Sequence, residues 1–286
     1  MRRCIKCGAG FEGTWTCPAC GFSPPEIKGF LAFAPELSLR SSSGFDQSEF
    51  EELGELEERY FWFRSRSRLI ASVVNAYFSD ARTYFEIGCG TGYVLQEVSK
   101  ECPNLALNAS EISVDGLPIA AGRTPRAAFY QMDAKQLPFQ GEFDVIGAFD
   151  VLEHIDDDCL VLRQIHGALR NGGGMILTVP QHAFLWTRRD EAAGHFRRYG
   201  RTELVTKVRE AGFEVVAVTS FVALLLPLLI ASRLLGKSGA DEVREFKIGR
   251  SANALLGVIM WIERLMIRAG LSFPAGGSLL LAARKG

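Results

Sequence analysis

Hydrophobic positions along this chain come in short runs separated by stretches of helical periodicity, the pattern of strands alternating with helices. The runs 84–87, 105–109, 128–132, 143–149 and 175–180 read as five strands. Between them, 93–100 and 157–169 read as helices, the second stopped by Asn171-Gly172-Gly173-Gly174. The runs 212–221 and 278–284 read as a sixth and a seventh strand. Ahead of the first strand, 50–78 reads as one helical stretch that opens with acids and continues into Arg59-Tyr60-Phe61-Trp62-Phe63-Arg64. Four consecutive aromatics cannot all face a core at helical spacing, so some of Tyr60, Trp62 and Phe63 are expected to be open to a ligand or a neighbouring element. A helix that caps the domain is the alternative, because aromatic surfaces also pack.

Two stretches depart from this rhythm. Residues 23–48 are rich in Pro, Ser and Gly, with one apolar patch at 27–37, and read as a linker that packs locally. Between the sixth and seventh strands lie an apolar run at 222–231 that contains Pro227, a charged turn at 237–250 and an apolar helix at 254–267. The apolar run is shorter than the roughly 20 residues a bilayer span needs, so it reads as a lid, a membrane-surface patch or an oligomer contact.

At 286 residues the chain can hold one ordinary domain plus something smaller. A hydrophobic content of 48% and a net charge of −1 describe a globular protein with a substantial core and argue against nucleic acid as a partner. Met1-Arg2-Arg3-Cys4 lacks an apolar signal core, and four of the seven cysteines cluster near the start, so a reducing cytoplasm is expected.

Those four cysteines stand as Cys4-Ile5-Lys6-Cys7-Gly8 and Cys17-Pro18-Ala19-Cys20-Gly21. Four thiolates at this spacing close a tetrahedral zinc site, and the pair of knuckles resembles a zinc ribbon; redox dithiols or disulfides are the alternative. Cys4, Cys7, Cys17 and Cys20 are therefore the candidate metal ligands. So short a module has almost no apolar core, so the metal would supply its folding energy and its role would be structural.

The most informative stretch is Tyr84-Phe85-Glu86-Ile87-Gly88-Cys89-Gly90-Thr91-Gly92-Tyr93, an apolar strand running into a turn of three alternate glycines and then a helix. Glycine suits such a turn because a Cβ would block positive φ and keep a ligand off the backbone. The acid at Glu86 gives the form E-x-G-x-G-x-G, which resembles motif I of class I S-adenosylmethionine (SAM) methyltransferases. Dinucleotide dehydrogenases read G-x-G-x-x-G instead, since they must present helix amides to a pyrophosphate that SAM lacks. The resemblance implies an α/β fold: a Rossmann-like, seven-stranded, mostly parallel sheet with helices on both faces, its sixth and seventh strands antiparallel at one edge. With the ribbon at 1–25 and the linker at 26–48, the methyltransferase domain is expected at 49–286, carrying an apolar insert at 222–277.

Further acids fall where a nucleotide fold uses them. Glu111 lies about 20 residues past the glycine turn, where a strand-end acid can bond both ribose hydroxyls. Asp133 ends the third strand and opens the segment Ala134-Lys135-Gln136-Leu137-Pro138-Phe139, which in the resembling family edges the adenine; a loop-capping aspartate is the alternative. The resemblance places SAM against Glu86, Gly88, Cys89, Gly90, Gly92, Glu111, Ile112, Asp133, Ala134, Phe149 and Trp62. The run Asp150-Val151-Leu152-Glu153-His154-Ile155 resembles motif IV of the same enzymes, notably the ubiquinone-biosynthesis O-methyltransferases. That likeness implies a divalent cation on Asp150, Glu153 and His154, against capping of the next helix.

Asp150, His182 and His195 are the candidate catalytic residues, His195 lying in Gly194-His195-Phe196-Arg197-Arg198-Tyr199, which resembles the G-H-x-R-R-Y segment of a subgroup of these enzymes. Either histidine could instead be a loop residue bonded to backbone. The expected activity is SAM-dependent methylation of an oxygen on a hydrophobic or lipid-linked small molecule. A ribosomal RNA base methyltransferase and a non-catalytic SAM-binding scaffold are the other two readings. Expected partners are that small molecule, the inner face of a membrane touched peripherally from the cytoplasm, and a second copy of the chain.

Overall fold

Tyr84 and Phe85 are neighbours in sequence and both fully buried, yet they belong to two different apolar cores, one on each side of a sheet. Val145 and Ile146, and Leu280 and Leu281, divide in the same way. A strand buried on both faces needs helices on both faces, and the chain supplies them.

The structure is a computed structural model that describes residues 1–40, 47–234 and 248–286. A small N-terminal module carries β1 (Arg2–Arg3) and β2 (Gly10–Phe11), and is followed by β3 (Glu26–Ile27), β4 (Phe30–Ala32) and α1 (Pro35–Arg40). Two helices, α2 (Gln47–Arg59) and α3 (Phe61–Tyr77), precede β5 (Thr83–Ile87). The order then runs α4 (Tyr93–Glu101), β6 (Ala106–Glu111), α5 (Leu117–Arg123), β7 (Ala128–Gln131), β8 (Phe143–Phe149), α6 (Asp158–Ala168) and β9 (Leu169–Pro180). After α7 (Arg188–Ala192) and α8 (Arg201–Glu210) come β10 (Phe213–Phe221), α9 (Leu226–Leu234), α10 (Arg250–Arg268) and β11 (Ser278–Lys285).

The large sheet has nine strands in the order β10-β11-β9-β8-β5-β6-β7-β4-β3. The run from β9 to β4 is parallel, while β11 pairs antiparallel with both β9 and β10. One face is covered by α3, α4, α5 and α10, and the other by α6 and α8. The Rossmann-like architecture is thus as the sequence implies, with two strands more than the expected seven. They come from 26–32, the stretch expected to be a linker: Leu31 and Ala32 pair with Tyr130 and Gln131 and extend the sheet past β7.

Two further expectations change. The single helix at 50–78 is two helices, because Tyr60 is extended (φ −88°, ψ 135°) and the side chain of Asn253 in α10 stitches the break. Its Oδ1 accepts the Phe61 N–H at 2.9 Å and its Nδ2 donates to the Arg59 carbonyl at 2.9 Å. The glycines at 172–174 do not stop α6, which ends at Ala168; they lie inside β9. There a Cβ on Gly174 would collide with the Phe78 ring, so the small residue lets the end of α3 sit directly on the strand. The charged turn at 237–250 falls mostly outside the described residues.

Candidate active site

Strand order reverses beside β5, with β6 and β7 to one side and β8 and β9 to the other, which opens a crevice above the C-terminal ends of β5 and β8. The glycine turn enters it. Gly88 has φ +66°, and a Cβ there would meet Val151 Cγ2 at 2.6 Å, so the turn and the loop after β8 touch only because that side chain is missing. Gly90 has φ +53° with nothing within 4 Å of where its Cβ would be, leaving an open cradle over the backbone. Gly92 is left-handed at the start of α4. The Glu111 carboxylate fastens this cradle: Oε2 accepts from Gly90 N at 2.9 Å, and Oε1 from Ile112 N at 2.7 Å and Ser113 N at 3.3 Å.

Glu86 lies buried beneath the turn and accepts a hydrogen bond from the Tyr84 hydroxyl at 2.9 Å. Burial raises its pKa to about 8, against the lowering effect of Tyr84 and Arg66, so near neutral pH it is largely protonated. A cationic ligand laid in the cradle would favour its charged form. Cys89 is buried with its N–H on the Ser110 carbonyl, Phe149 and Ala134 are buried, and Ile112 is exposed at the rim. Asp133 Oδ1 accepts the Lys135 N–H at 2.8 Å and so caps its own loop.

On the other wall, Arg66 of α3 reaches across to Asp150, Nη2 to Oδ2 at 2.8 Å, while Asp150 Oδ1 accepts from the Thr178 hydroxyl at 3.1 Å. Asp150 itself has φ +57°, a conformation aspartate tolerates. Both of its oxygens are thus engaged, one by Arg66 and one by Thr178. Trp62 lies under the Arg66 guanidinium, 5.3 Å from ring centroid to carbon. Of the three aromatics among which some were expected to be open to a ligand or a neighbouring element, Tyr60 is buried, its oxygen accepting from Ile248 N at 3.1 Å, while Trp62 and Phe63 are partly buried.

The histidines differ in how they are held. His195 Nδ1 is 3.0 Å from Asp190 Oδ1, and Arg198 clamps the same carboxylate through Nε at 2.7 Å and Nη2 at 3.0 Å. Burial would raise Asp190, but the His195 and Arg198 bonds hold it well below the usual carboxylate range. An ionised Asp190 fixes Nδ1 as the protonated nitrogen and leaves Nε2 as an acceptor. His182, at φ +64°, has a buried Nε2 without a partner among the described residues, and burial followed by Arg198 lowers its pKa.

His195 also meets His154, ring centroids 4.6 Å apart, and the ligand atoms of Glu153, His154 and His195 lie within 4.8 Å of one another. Glu153 is 1% exposed and its Oε2 has no partner among the described residues. Burial, then Asp150, raises its pKa well above the usual value, and burial, then His195, lowers that of His154. The carboxylate–histidine group is thus Glu153, His154 and His195, where the sequence pointed to Asp150, Glu153 and His154. Arg66 has taken Asp150 out of it.

A methyltransferase domain family matches residues 56–218, more than half of the chain. This chain belongs to that family. A probable S-adenosylmethionine-dependent methyltransferase of Mycobacterium tuberculosis is 25% identical over 64% of this chain and 67% of its own length. A ubiquinone biosynthesis O-methyltransferase of Pseudomonas aeruginosa is 26% identical over 59% of this chain and 76% of its own. In shape, the solved SAM-dependent methyltransferase of Thermotoga maritima, a possible histamine N-methyltransferase by its name, aligns with a TM-score of 0.52 at 18% identity over 84% of this chain and 95% of that one. SAM-dependent methyl transfer is therefore the chemistry of this domain, and the open cradle at Gly90 above a buried acid fits the donor.

Outside the matched span, the methyltransferase carries its four-cysteine module against the sheet. Cys4 Sγ lies 3.6 Å from Cys20 Sγ, and Cys7 Sγ 3.7 Å from Cys17 Sγ. Tetrahedral zinc with bonds of about 2.3 Å separates its sulfurs by about 3.8 Å, so the cluster fits a zinc ribbon. Gly8 and Gly21 donate to the carbonyls of Cys4 and Cys17 at 2.9 Å, closing each knuckle.

The sequence reading missed Arg66, Arg198 and the Glu57–Arg123 pair, which ties α2 to the Thr91 hydroxyl and carbonyl in the glycine turn. The arginines flanking the aromatic run were visible, but their partners lie far along the chain.

Proposed function

We propose that this methyltransferase transfers the SAM methyl group to an oxygen of a hydrophobic or lipid-linked small molecule while associated peripherally with a membrane, using His195 as the base. The observation that supports the catalytic part is the Arg198–Asp190–His195 chain, which leaves the other imidazole nitrogen of His195 as an acceptor. SAM, when bound, supplies an electrophilic methyl and a thioether leaving group. The cradle of Gly88, Gly90 and Gly92, with Glu86 below and Glu111 behind, would hold it, with Ile112, Asp133 and Ala134 at the adenine end and Cys89, Phe149 and Trp62 lining the walls. The chain then has two tasks: to orient the acceptor oxygen and to take its proton at His195 Nε2. Asp150 would act by anchoring Arg66, and the imidazolium formed would be stabilised by Asp190.

Isotope-labelled SAM and a quinone-containing lipid extract test this. His195→Gln should lower kcat by about 100-fold or more with SAM affinity nearly unchanged, and Glu111→Ala should weaken SAM binding by about tenfold. Full turnover in His195→Gln would remove the base, and labelling of a nitrogen or of RNA would remove the acceptor reading.

The unpaired Glu153 Oε2 favours a second reading, in which Glu153, His154 and His195 hold a divalent cation. Such a cation would polarise the acceptor oxygen, and His195 could not then be a free base. Titration with Mn2+ separates the two: saturable binding lost in Glu153→Gln supports the cation.

A further inference from the structure

The apolar character expected of the run after β10 divides once the chain is folded. Phe221 and Leu225 are buried, and the exposed apolar surface lies mainly on α10. Leu255, Val258, Trp261, Ile262 and Leu265 recur at helical spacing along one outward arc and are 40–62% exposed, continued by Leu271 beyond the helix and by Leu224 and Leu228 beside it. Its inner side is fully used: Met260 is buried, Leu256, Ile259 and Ile267 pack on the core, and Asn253 stitches the α2–α3 break.

Charge on this helix is arranged opposite to that of an ordinary surface helix. Its one carboxylate, Glu263, turns inward and accepts the N–H groups of Val222 at 2.6 Å and Leu224 at 2.8 Å. The charges bordering the arc are cationic: Arg250, Arg264 and Arg268 on α10, with Arg64 and Arg68 facing them from α3. Arg64, Arg68, Gly257, Val258 and Trp261 line a cavity of about 200 Å³ between the two helices. Burial, then Arg68 and Arg268, lowers the pKa of Arg264, while two carboxylates on the same side, Glu101 and Glu97 (the latter 3.7 Å from Arg68), offset only part of this crowding. The whole chain carries a net charge of −1, so the excess is local.

We infer that α10 lies flat on an anionic bilayer, its Leu255–Val258–Ile262–Leu265 face among the acyl chains, Trp261 at the interface and the bordering arginines on lipid phosphates. An apolar arc with a tryptophan and a cationic border is the make-up of an in-plane interfacial helix. No helix among the described residues is long and apolar enough to cross a membrane. A twofold dimer through the same face would set the arginine borders of two copies against each other. The inference rests on the membrane part of the proposed function and names its face; it requires nothing of the acceptor. Its consequence is positional, since α10 packs on α3, which carries Trp62 and Arg66 into the crevice.

The test is co-sedimentation of the full chain with vesicles of phosphatidylcholine alone and with about a third phosphatidylglycerol, at low and high salt. Binding should need the anionic lipid and weaken with salt. Leu255→Ser/Ile262→Ser should lower it by about tenfold or more, and Arg264→Gln/Arg268→Gln by about tenfold on anionic vesicles. Thermal melts and SAM titrations of each variant establish that the fold persists, and a single Leu255→Ser serves if the double variant does not fold. Equal binding to neutral vesicles, no binding, or a dimer dissociated by Leu255→Ser without change in vesicle binding would overturn the inference. Vesicle binding with no methylated lipid would uphold it and remove the acceptor reading instead.

Discussion

Two parts of this chain lie outside the matched span 56–218 and treat their apolar side chains in opposite ways. The N-terminal module turns its side chains onto the sheet: Trp15 meets Phe33, Tyr130 and Phe139 with ring centroids 4.9–5.8 Å apart, and Arg2 covers its other side at 4.0 Å. Backbone joins as well, Arg3 N to the Pro138 carbonyl at 3.0 Å and Gln136 Nε2 to the Ile5 carbonyl at 2.8 Å. The insert between β10 and β11 docks as closely on its inner side yet leaves Trp261 half exposed. Equal hydrophobicity thus serves attachment to the protein in one place and presentation outward in the other. The ribbon holds the Asp133–Phe139 side of the crevice, and α10 backs the Trp62–Arg66 side.

The largest expected effect breaks the ribbon. Cys4→Ser should abolish stoichiometric zinc, and with it metal binding worth on the order of 10 kcal/mol in small zinc modules. The module should then be cleaved by protease near its own loops, while residues of α10 stay protected. Metal analysis and mass-mapped proteolysis check this; an intact, zinc-free ribbon would show that docking alone folds it.

A matched pair of tryptophans sharpens the contrast. Trp15→Ala should cost about 2–3 kcal/mol, at or just below the roughly 3–5 kcal/mol of a fully packed aromatic, because Trp15 is only partly buried. Urea unfolding gives the value, and a loss below about 0.5 kcal/mol would mean that the ring contacts are incidental.

What could be read in advance follows the same divide. The glycine turn with Glu86 and the two cysteine knuckles are each written within a few adjacent residues, because one turn or one metal site needs a fixed local spacing. The C-terminal ends of β5, β8, β9 and β10 were legible for the same reason. Arg66 on Asp150, Asn253 on Phe61 and His195 on His154 join residues far apart in the chain, and no local pattern specifies such partners. The strand pair at 26–32 was missed because its few residues become a sheet edge only when β7 offers them one. The outward face of α10 was hidden for a different reason. Apolar residues on every side of a helix read as burial, and only the fold shows which side is covered.

The inner attachment of the insert should depend on pH, whereas the ribbon's contacts with the sheet include no buried acid of this kind among the described residues. Glu263 is raised by burial, against the amides of Leu224 and Val222. A carboxyl raised in the folded state keeps a proton that the unfolded chain has released. Stability from this group is therefore fully present below about 4.5, the ordinary glutamate value, and is lost as pH rises toward its folded pKa. Glu263→Gln should flatten that slope at a cost of about 1–2 kcal/mol. Hydrogen exchange at Val222 and Leu224 across this window checks both; an unchanged slope would assign the pH dependence elsewhere, with Glu86 the next candidate by the same sign.

The smallest expected effect is the most discriminating. In dilute buffer Trp261→Ala and Leu255→Ser should each change stability by no more than about 0.5 kcal/mol, as surface substitutions do. Leu255 projects outward from α10, and the covered half of Trp261 faces only the cavity against α3, without an aromatic partner, so truncation strands no polar group. The same truncation at Trp15 removes ring contacts with three aromatic partners. Measured side by side in urea, a large loss at Trp15 and almost none at Trp261 would show that the ribbon is held by its aromatic face and that the α10 face does nothing for the isolated monomer. A loss of 2 kcal/mol or more at Trp261 would mean that its face is covered within the folded chain or by a second copy, and a dependence of that loss on protein concentration would tell these apart.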